Sequence, residues 1–250
     1  MARDGGGLAG SRGQYGIDGG VIGVSVFGLV QAGLAGTVAW AVRHRRPGIA
    51  RLAVVAGVAV AGSAASYLYS TGPGKRAIWA ELLDELSLRG DEQVLDVGCG
   101  RGAVLMLAAR RLPGGRAVGA DLWRRRDQSG NSRAATERNA VAEGVRDRVD
   151  VVDADARDLP FPAASFDLVV SSLAISNIRG AGERGRAMRE AVRVLRPGGR
   201  LRIVDDGADR YAVVLRDAGC DVTVRQLDWR TWYGIPGHHL PLVAASKPPS

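Results

Sequence analysis

The residues most suited to chemistry gather in Val94-Leu95-Asp96-Val97-Gly98-Cys99-Gly100-Arg101-Gly102, an apolar run with one acid that ends in Gly-x-Gly-x-Gly. Glycines in that pattern turn the chain sharply and let backbone approach a ligand with no Cβ in the way. Read with Ala103, the stretch also satisfies the looser Gly-x-Gly-x-x-Ala loop of dinucleotide sites, so an NAD(P)-binding oxidoreductase is one reading. Two acids favour another. Asp96, two residues before the first glycine, would repel a pyrophosphate and suits a cationic or amino-acid-bearing ligand. Asp121, 23 residues after Gly98, has the spacing of an acid that accepts from adenosine ribose hydroxyls.

Such residues need a scaffold of alternating strands and helices, which the pattern from Lys75 onward supplies. Apolar runs predict strands over Gln93–Val97, Arg116–Asp121, Val149–Asp153, Phe166–Ser172, Leu201–Asp205, Asp221–Leu227 and Leu242–Ala245. Helical spacing predicts helices over 76–88, 103–112, 134–143, 183–195 and 208–218. Continuous apolar strands between amphipathic helices argue an α/β fold with a mainly parallel, doubly wound sheet.

With the glycine turn and the strand-end acids in place, this region resembles the class I S-adenosylmethionine-dependent methyltransferases, in particular their small-molecule, "type 11"-like branch. Three further stretches carry the likeness in order: Ala154-Asp155-Ala156-Arg157-Asp158-Leu159-Pro160-Phe161, Phe166-Asp167-Leu168-Val169-Val170-Ser171-Ser172, and Val194-Leu195-Arg196-Pro197-Gly198-Gly199-Arg200-Leu201. The resemblance implies a Rossmann-like seven-stranded sheet whose last strand is antiparallel, and S-adenosyl-L-methionine as cofactor. It implies that Gly98, Gly100 and Gly102 cradle that cofactor, with Asp96 near its methionine end, Asp121 at the ribose and Asp155 at the adenine amine. Leu122 and Trp123 are expected to pack on the adenine, with Ala156 and Ser171 nearby. In this fold the hairpin Asp228–Pro241 falls at the ligand edge of the sheet. Its Trp229, Trp232 and Tyr233 are therefore expected to line a substrate pocket, and His238 and His239 to offer a general base. Ser172, Asn177 and Asp205 are further substrate-side candidates by topology. No Asn-Pro-Pro-Tyr or Asp-Pro-Pro-Tyr segment follows the fourth strand, which disfavours nucleobase amines and glutamine as acceptors. Asp127-Gln128-Ser129-Gly130-Asn131 reads as a loop with a helix cap near Ser132, or as a flap over the cofactor.

The first 74 residues are a different material. Val21 to Val42 and Leu52 to Gly74 carry no charge, and each would make a helix roughly 30 Å long, about the thickness of a bilayer core. Two hydrophobic transmembrane helices are expected, following a glycine-rich tail at 1–20, in an anchor over 21–74 ahead of a methyltransferase domain over 75–250. Gly28, Ala32 and Gly36 in the first run, and Ala53, Gly57, Ala61 and Ala65 in the second, would permit close helix packing. Arg43, His44, Arg45, Arg46 and Arg51 between the runs favour a cytoplasmic connecting loop, whereas the inferred chemistry favours a cytoplasmic catalytic domain.

Net charge is +8, yet residues 1–74 already hold six arginines against Asp4 and Asp18. The basicity left on the α/β region is modest and the aromatic content is 5%, so nucleic acid is not the expected partner. Two cysteines with no cysteine–histidine cluster exclude a disulfide framework and a zinc site. The sequence thus predicts a membrane-integral methyltransferase with its catalytic domain in the cytoplasm, acting on a small, lipid- or quinone-like molecule. A membrane-tethered S-adenosylmethionine-binding module without methyl transfer is the alternative.

Overall fold

The computed structural model describes residues 12–249, so the first eleven residues of the glycine-rich tail lie outside the described part. Two long helices come first, α1 (Gly20–Arg43) and α2 (Pro47–Tyr69). Pro47 at the start of α2 fits its missing N–H and fixed φ. After α2 a single π-helical stretch, Ser70–Gly74, leads without a break into α3 (Lys75–Glu85), so one continuous rod crosses the expected boundary at Gly74. Pro73 lies inside that stretch, and its missing N–H is a sufficient local reason for the departure from α-helical bonding.

The remaining elements are β1 (Gln93–Val97), α4 (Ala103–Ala109), β2 (Arg116–Asp121), α5 (Arg133–Ala142), β3 (Val149–Asp153), β4 (Phe166–Ser172), α6 (Ala181–Val194), β5 (Leu195–Val204), α7 (Ala208–Asp217), β6 (Asp221–Gln226) and β7 (Pro241–Ser246). They form one seven-stranded sheet in the order β3-β2-β1-β4-β5-β7-β6, with only β7 antiparallel to its neighbours. This is the Rossmann-like arrangement expected. Side chains alternate across the sheet: Val94 joins a core with Trp79, Leu83 and Met106 from α3 and α4, while Leu95 joins one with Met188 and Leu215 from α6 and α7. Both faces are covered, which is why the central strands read as unbroken apolar runs.

One strand differs from expectation. β5 begins at Leu195, six residues before the predicted Leu201, because Leu195 pairs with Phe166 and an irregularity separates that pair from Leu168↔Arg200. The Gly198 and Gly199 backbone is held there by reciprocal hydrogen bonds with Lys247.

The α1–α2 pair packs along a seam different from the small-residue stripe. Phe27, Gln31, Leu34, Val38 and Ala41 are the more covered positions of α1, at alternating spacings of three and four, and they meet Ala53 and Gly57 on α2. Gln31 Nε2 donates to the Gly57 carbonyl at 2.8 Å. A Cβ built on Gly28 or Gly36 meets nothing within 4 Å, so those glycines face outward, as do Ala61 and Ala65. The expected close approach is therefore confined to Ala53 and Gly57.

Candidate active site

The C-terminal ends of β1, β2, β3 and β4 open on a cavity of about 320 Å³, within the usual range of ~300–1,000 Å³ for small-molecule sites. Its floor is the turn after β1. Gly98 has φ +72, and a Cβ there would sit 2.1 Å from the Ala174 Cβ. Gly100 has φ +53, and its Cβ would meet Gln128 Oε1 at 2.5 Å. Only glycine satisfies both the left-handed backbone and the lack of room. Gly102 differs: it does not line the cavity but caps α4 at φ +83, packed against Met106 and Thr136.

Asp121 binds the turn together. Its Oδ2 accepts from the Gly100 N–H at 2.8 Å, and its Oδ1 accepts from the Trp123 N–H and from Asn131 Nδ2. The loop 127–131 closes the same wall, with Gln128 Oε1 accepting from the Arg101 N–H at 2.7 Å. Ser132 caps α5 by accepting from the Ala135 N–H, so the loop serves the helix and the cavity together.

Asp96 lies on the cavity wall with 1% of its surface exposed, and its Oδ2 is buried without a hydrogen-bond partner among the described residues. Burial pushes its carboxyl up to about 7; the Lys75 ammonium opposes that rise and Asp121 adds to it. At the β3 end, Asp155 and Ala156 line the cavity beside Ala154. Arg157 donates to Asp155 through Nη2 at 2.6 Å and Nε at 2.9 Å, and holds that carboxyl below its ordinary range. Leu122 lines the rim with 44% exposure, whereas Trp123 packs against the core and does not line the cavity.

From β4, Ser172 and Asn177 line the cavity; Ser172 Oγ accepts from Trp79 Nε1 at 3.0 Å. Ser171 does not line it, because its Oγ donates to the Val97 carbonyl between strands. Asp205 also stays out. It is fully buried, with Oδ2 accepting from the Ser176 N–H at 3.0 Å, and burial pushes its carboxyl up to about 6.

The hairpin after β6 is the main correction. Trp229, Trp232, Tyr233, His238 and His239 line no part of this cavity. Trp229 stacks on Tyr69 at 5.2 Å, Tyr233 meets Tyr67 edge-on at 6.4 Å, and the Tyr233 N–H donates to Ser70 Oγ. Arg230 pairs with Glu81 on α3. These contacts dock the hairpin on the rod formed by α2 and α3. His238 faces Asp206 at 3.2 Å, and His239 accepts from Trp232 Nε1 at 3.3 Å, so neither points at the cavity as a base.

Two cavity residues carried no sequence signal. Asp18 and Lys75 form an ion pair at 2.8 Å with side-chain exposures of 14% and 8%. Asp18 arrives on a strap, residues 12–19, laid across α5 and the loop 127–131. Gln14 exchanges hydrogen bonds with Asn139, Ile17 with Ser129, and the Gly19 N–H donates to the Asp127 carbonyl. An aspartate and a lysine 57 positions apart announce nothing until the chain folds.

The fold is Rossmann-like, a seven-stranded mixed sheet whose last strand is antiparallel. Residues 95–203 match the family model described as a methyltransferase domain. Among curated relatives, the chain is 38% identical over 125 residues to methyltransferase GfsG of Streptomyces halstedii, covering 50% of this chain and 41% of that protein. It is 37% identical to 27-O-demethylrifamycin SV methyltransferase of Amycolatopsis mediterranei, covering 48% of this chain and 40% of that one. With the ubiquinone/menaquinone biosynthesis C-methyltransferase UbiE of Cereibacter sphaeroides it shares 33%, covering 53% and 50%. The chain thus spans half or less of these relatives' length. Among solved structures, the cyclase SpnF superposes with TM-score 0.57 at 23% identity, covering 68% of this chain and 81% of that one. A geranyl diphosphate methyltransferase in complex with SAM gives TM-score 0.55 at 19% identity, covering 69% and 84%. Identities this low speak for the fold alone.

Proposed function

We propose that this protein transfers the methyl group of S-adenosylmethionine to a small lipophilic acceptor at a membrane surface, with the catalytic domain on the cytoplasmic side. The observation that carries the reading is the cavity itself: a buried carboxyl at Asp96 with one oxygen free of partners, a backbone cradle at Gly98 and Gly100, and acids Asp121 and Asp155 in turn along the strand ends. That order suits an amino-acid end, a ribose and an adenine. The cofactor supplies an electrophilic methyl group when bound. The chain's part is to hold the two reactants in line and keep water away, which can supply much of the rate without a general base. Ser172 and Asn177 on the β4 side are the polar groups placed to orient an acceptor.

The acceptor's character is argued from α1 and α2. Leu29, Leu52 and Val58 on these helices are 69–75% exposed, and both helices are long and apolar enough to cross a membrane. Lys75, in the cavity wall, follows Tyr69 by six residues on one continuous helical rod, so the cavity sits on the order of 10 Å from the end of the apolar pair. A site so near the membrane suits a membrane-dissolved molecule, and the quinone-biosynthesis relative fits that class.

A second reading is a binding module of this fold that transfers no methyl group, since fold alone does not fix activity. Incubating the protein with methyl-labelled S-adenosylmethionine and membrane or soluble cell extract decides. Label in the organic phase supports the proposal, label confined to aqueous or protein fractions removes the lipophilic acceptor, and no transferred label leaves the binding module.

A further inference from the structure

We propose that Lys75 binds the carboxylate of the ligand's amino-acid end, opposite Asp96 at its ammonium group, and that Asp18 is the positioning residue that aims Lys75 into the cavity. The inference rests on the cofactor reading above and adds the residues that discriminate an amino-acid-bearing nucleoside from a plain one. Lys75 lines the cavity and is 8% exposed, in a chain where every other basic residue except Lys247 is an arginine. Lys247 is used elsewhere, donating to the Val192 and Leu195 carbonyls. A compact ammonium group carries three donors, and Asp18 takes two, through Oδ1 at 3.0 Å and Oδ2 at 2.8 Å. The third remains for a ligand.

Asp18 is itself fixed. Gln128 Nε2 donates to its Oδ1 at 3.2 Å, and the Tyr233 hydroxyl donates to its Oδ2 at 3.3 Å. Tyr67 donates to its backbone carbonyl. Four elements thus converge to hold one lysine: the strap, α2, the loop 127–131 and the hairpin. Across the cavity wall, Asp96 Oδ2 is the buried acceptor without a partner. A buried acceptor and a buried cation facing one space match a zwitterion. The cavity's arginines are poor competitors, since Arg157 is tied to Asp155 and Glu183 and Arg124, Arg126 and Arg179 are exposed at the rim.

The test is calorimetric binding of S-adenosylhomocysteine and of 5′-methylthioadenosine, which lacks the amino-acid end, to the full chain. Lys75→Met is expected to weaken S-adenosylhomocysteine at least tenfold and to leave 5′-methylthioadenosine unchanged, with Asp18→Asn giving a smaller loss of the same kind. Retained 5′-methylthioadenosine binding is the folding control. Should Lys75→Met lose it, the double variant Asp18→Asn/Lys75→Met, which removes the carboxylate that Lys75 paired with, carries the same comparison. Equal losses for both nucleosides in that variant, or no loss for either, overturn the assignment. A wild-type chain that binds neither nucleoside overturns the cofactor reading and this assignment with it.

Discussion

At the scale of single residues, Asp96 and Asp205 are both buried carboxyls pushed upward, with opposite uses. For Asp96, ionisation is what an ammonium group requires, and a carboxyl near 7 is mostly protonated in mild acid. Affinity for S-adenosylhomocysteine should therefore rise roughly tenfold from pH 5.5 to 7, as calorimetry across that window would show, and the rise should vanish in Asp96→Asn. Asp205 titrates to no ligand's benefit. Its folded value of about 6 exceeds the unfolded one near 3.9, so the folded state binds the extra proton and stability falls as pH rises from about 4 to 6, by up to about 3 kcal/mol. Asp205→Asn should gain Tm relative to wild type across that interval, and a pH-independent difference would refute the account. Gly98→Ala must place a Cβ 2.1 Å from Ala174 at a positive φ, a cost of roughly 2 kcal/mol or more. Loss of nucleoside binding by at least tenfold is the expected result.

At the scale of elements, the hairpin between β6 and β7 shows how far pattern reading reached. Its aromatics and histidines were legible as a cluster, and the resemblance implied that it would lie at the ligand end of the sheet. What it touches depended on the rod of α2 and α3, whose continuity through Ser70–Gly74 no local pattern reveals. Trp229 and Tyr233 consequently pack on Tyr69 and Tyr67 instead of on an acceptor. The double variant His238→Ala/His239→Ala should keep methyl transfer within about twofold of wild type. Tyr233→Ala should instead cost about 2 kcal/mol and lower Tm by roughly 5 °C, measured by thermal unfolding. A large activity loss in the histidine variant would restore the general-base reading.

At the scale of the whole molecule, the apolar pair and the sheet are joined by that rod and by the strap, which bring Lys75 and Asp18 into the cavity from either end of the pair. The exposed side chains of α1 and α2 predict that the full chain floats with lipid vesicles in a density gradient, while a variant in which Leu29, Leu52, Val55 and Val58 are changed to Gln does not. The strands and helices after Lys75, the glycine turn and the spacing of Asp96 and Asp121 were legible because apolar periodicity and glycine spacing are local properties of the chain, whereas the antiparallel last strand and Asp155 entered through the resemblance of the ordered motifs. Ser171 and Asp205 lie at the ends of β4 and β5 but outside the cavity, because their side chains are taken by the Val97 carbonyl and the Ser176 N–H, which periodicity cannot resolve. Lys75 and Asp18 were decided only by tertiary structure. Their pairing depends on a strap, a helical rod, a loop and a hairpin meeting at one point, and separations of 49 to 215 residues between Asp18 and its partners leave no trace in local pattern.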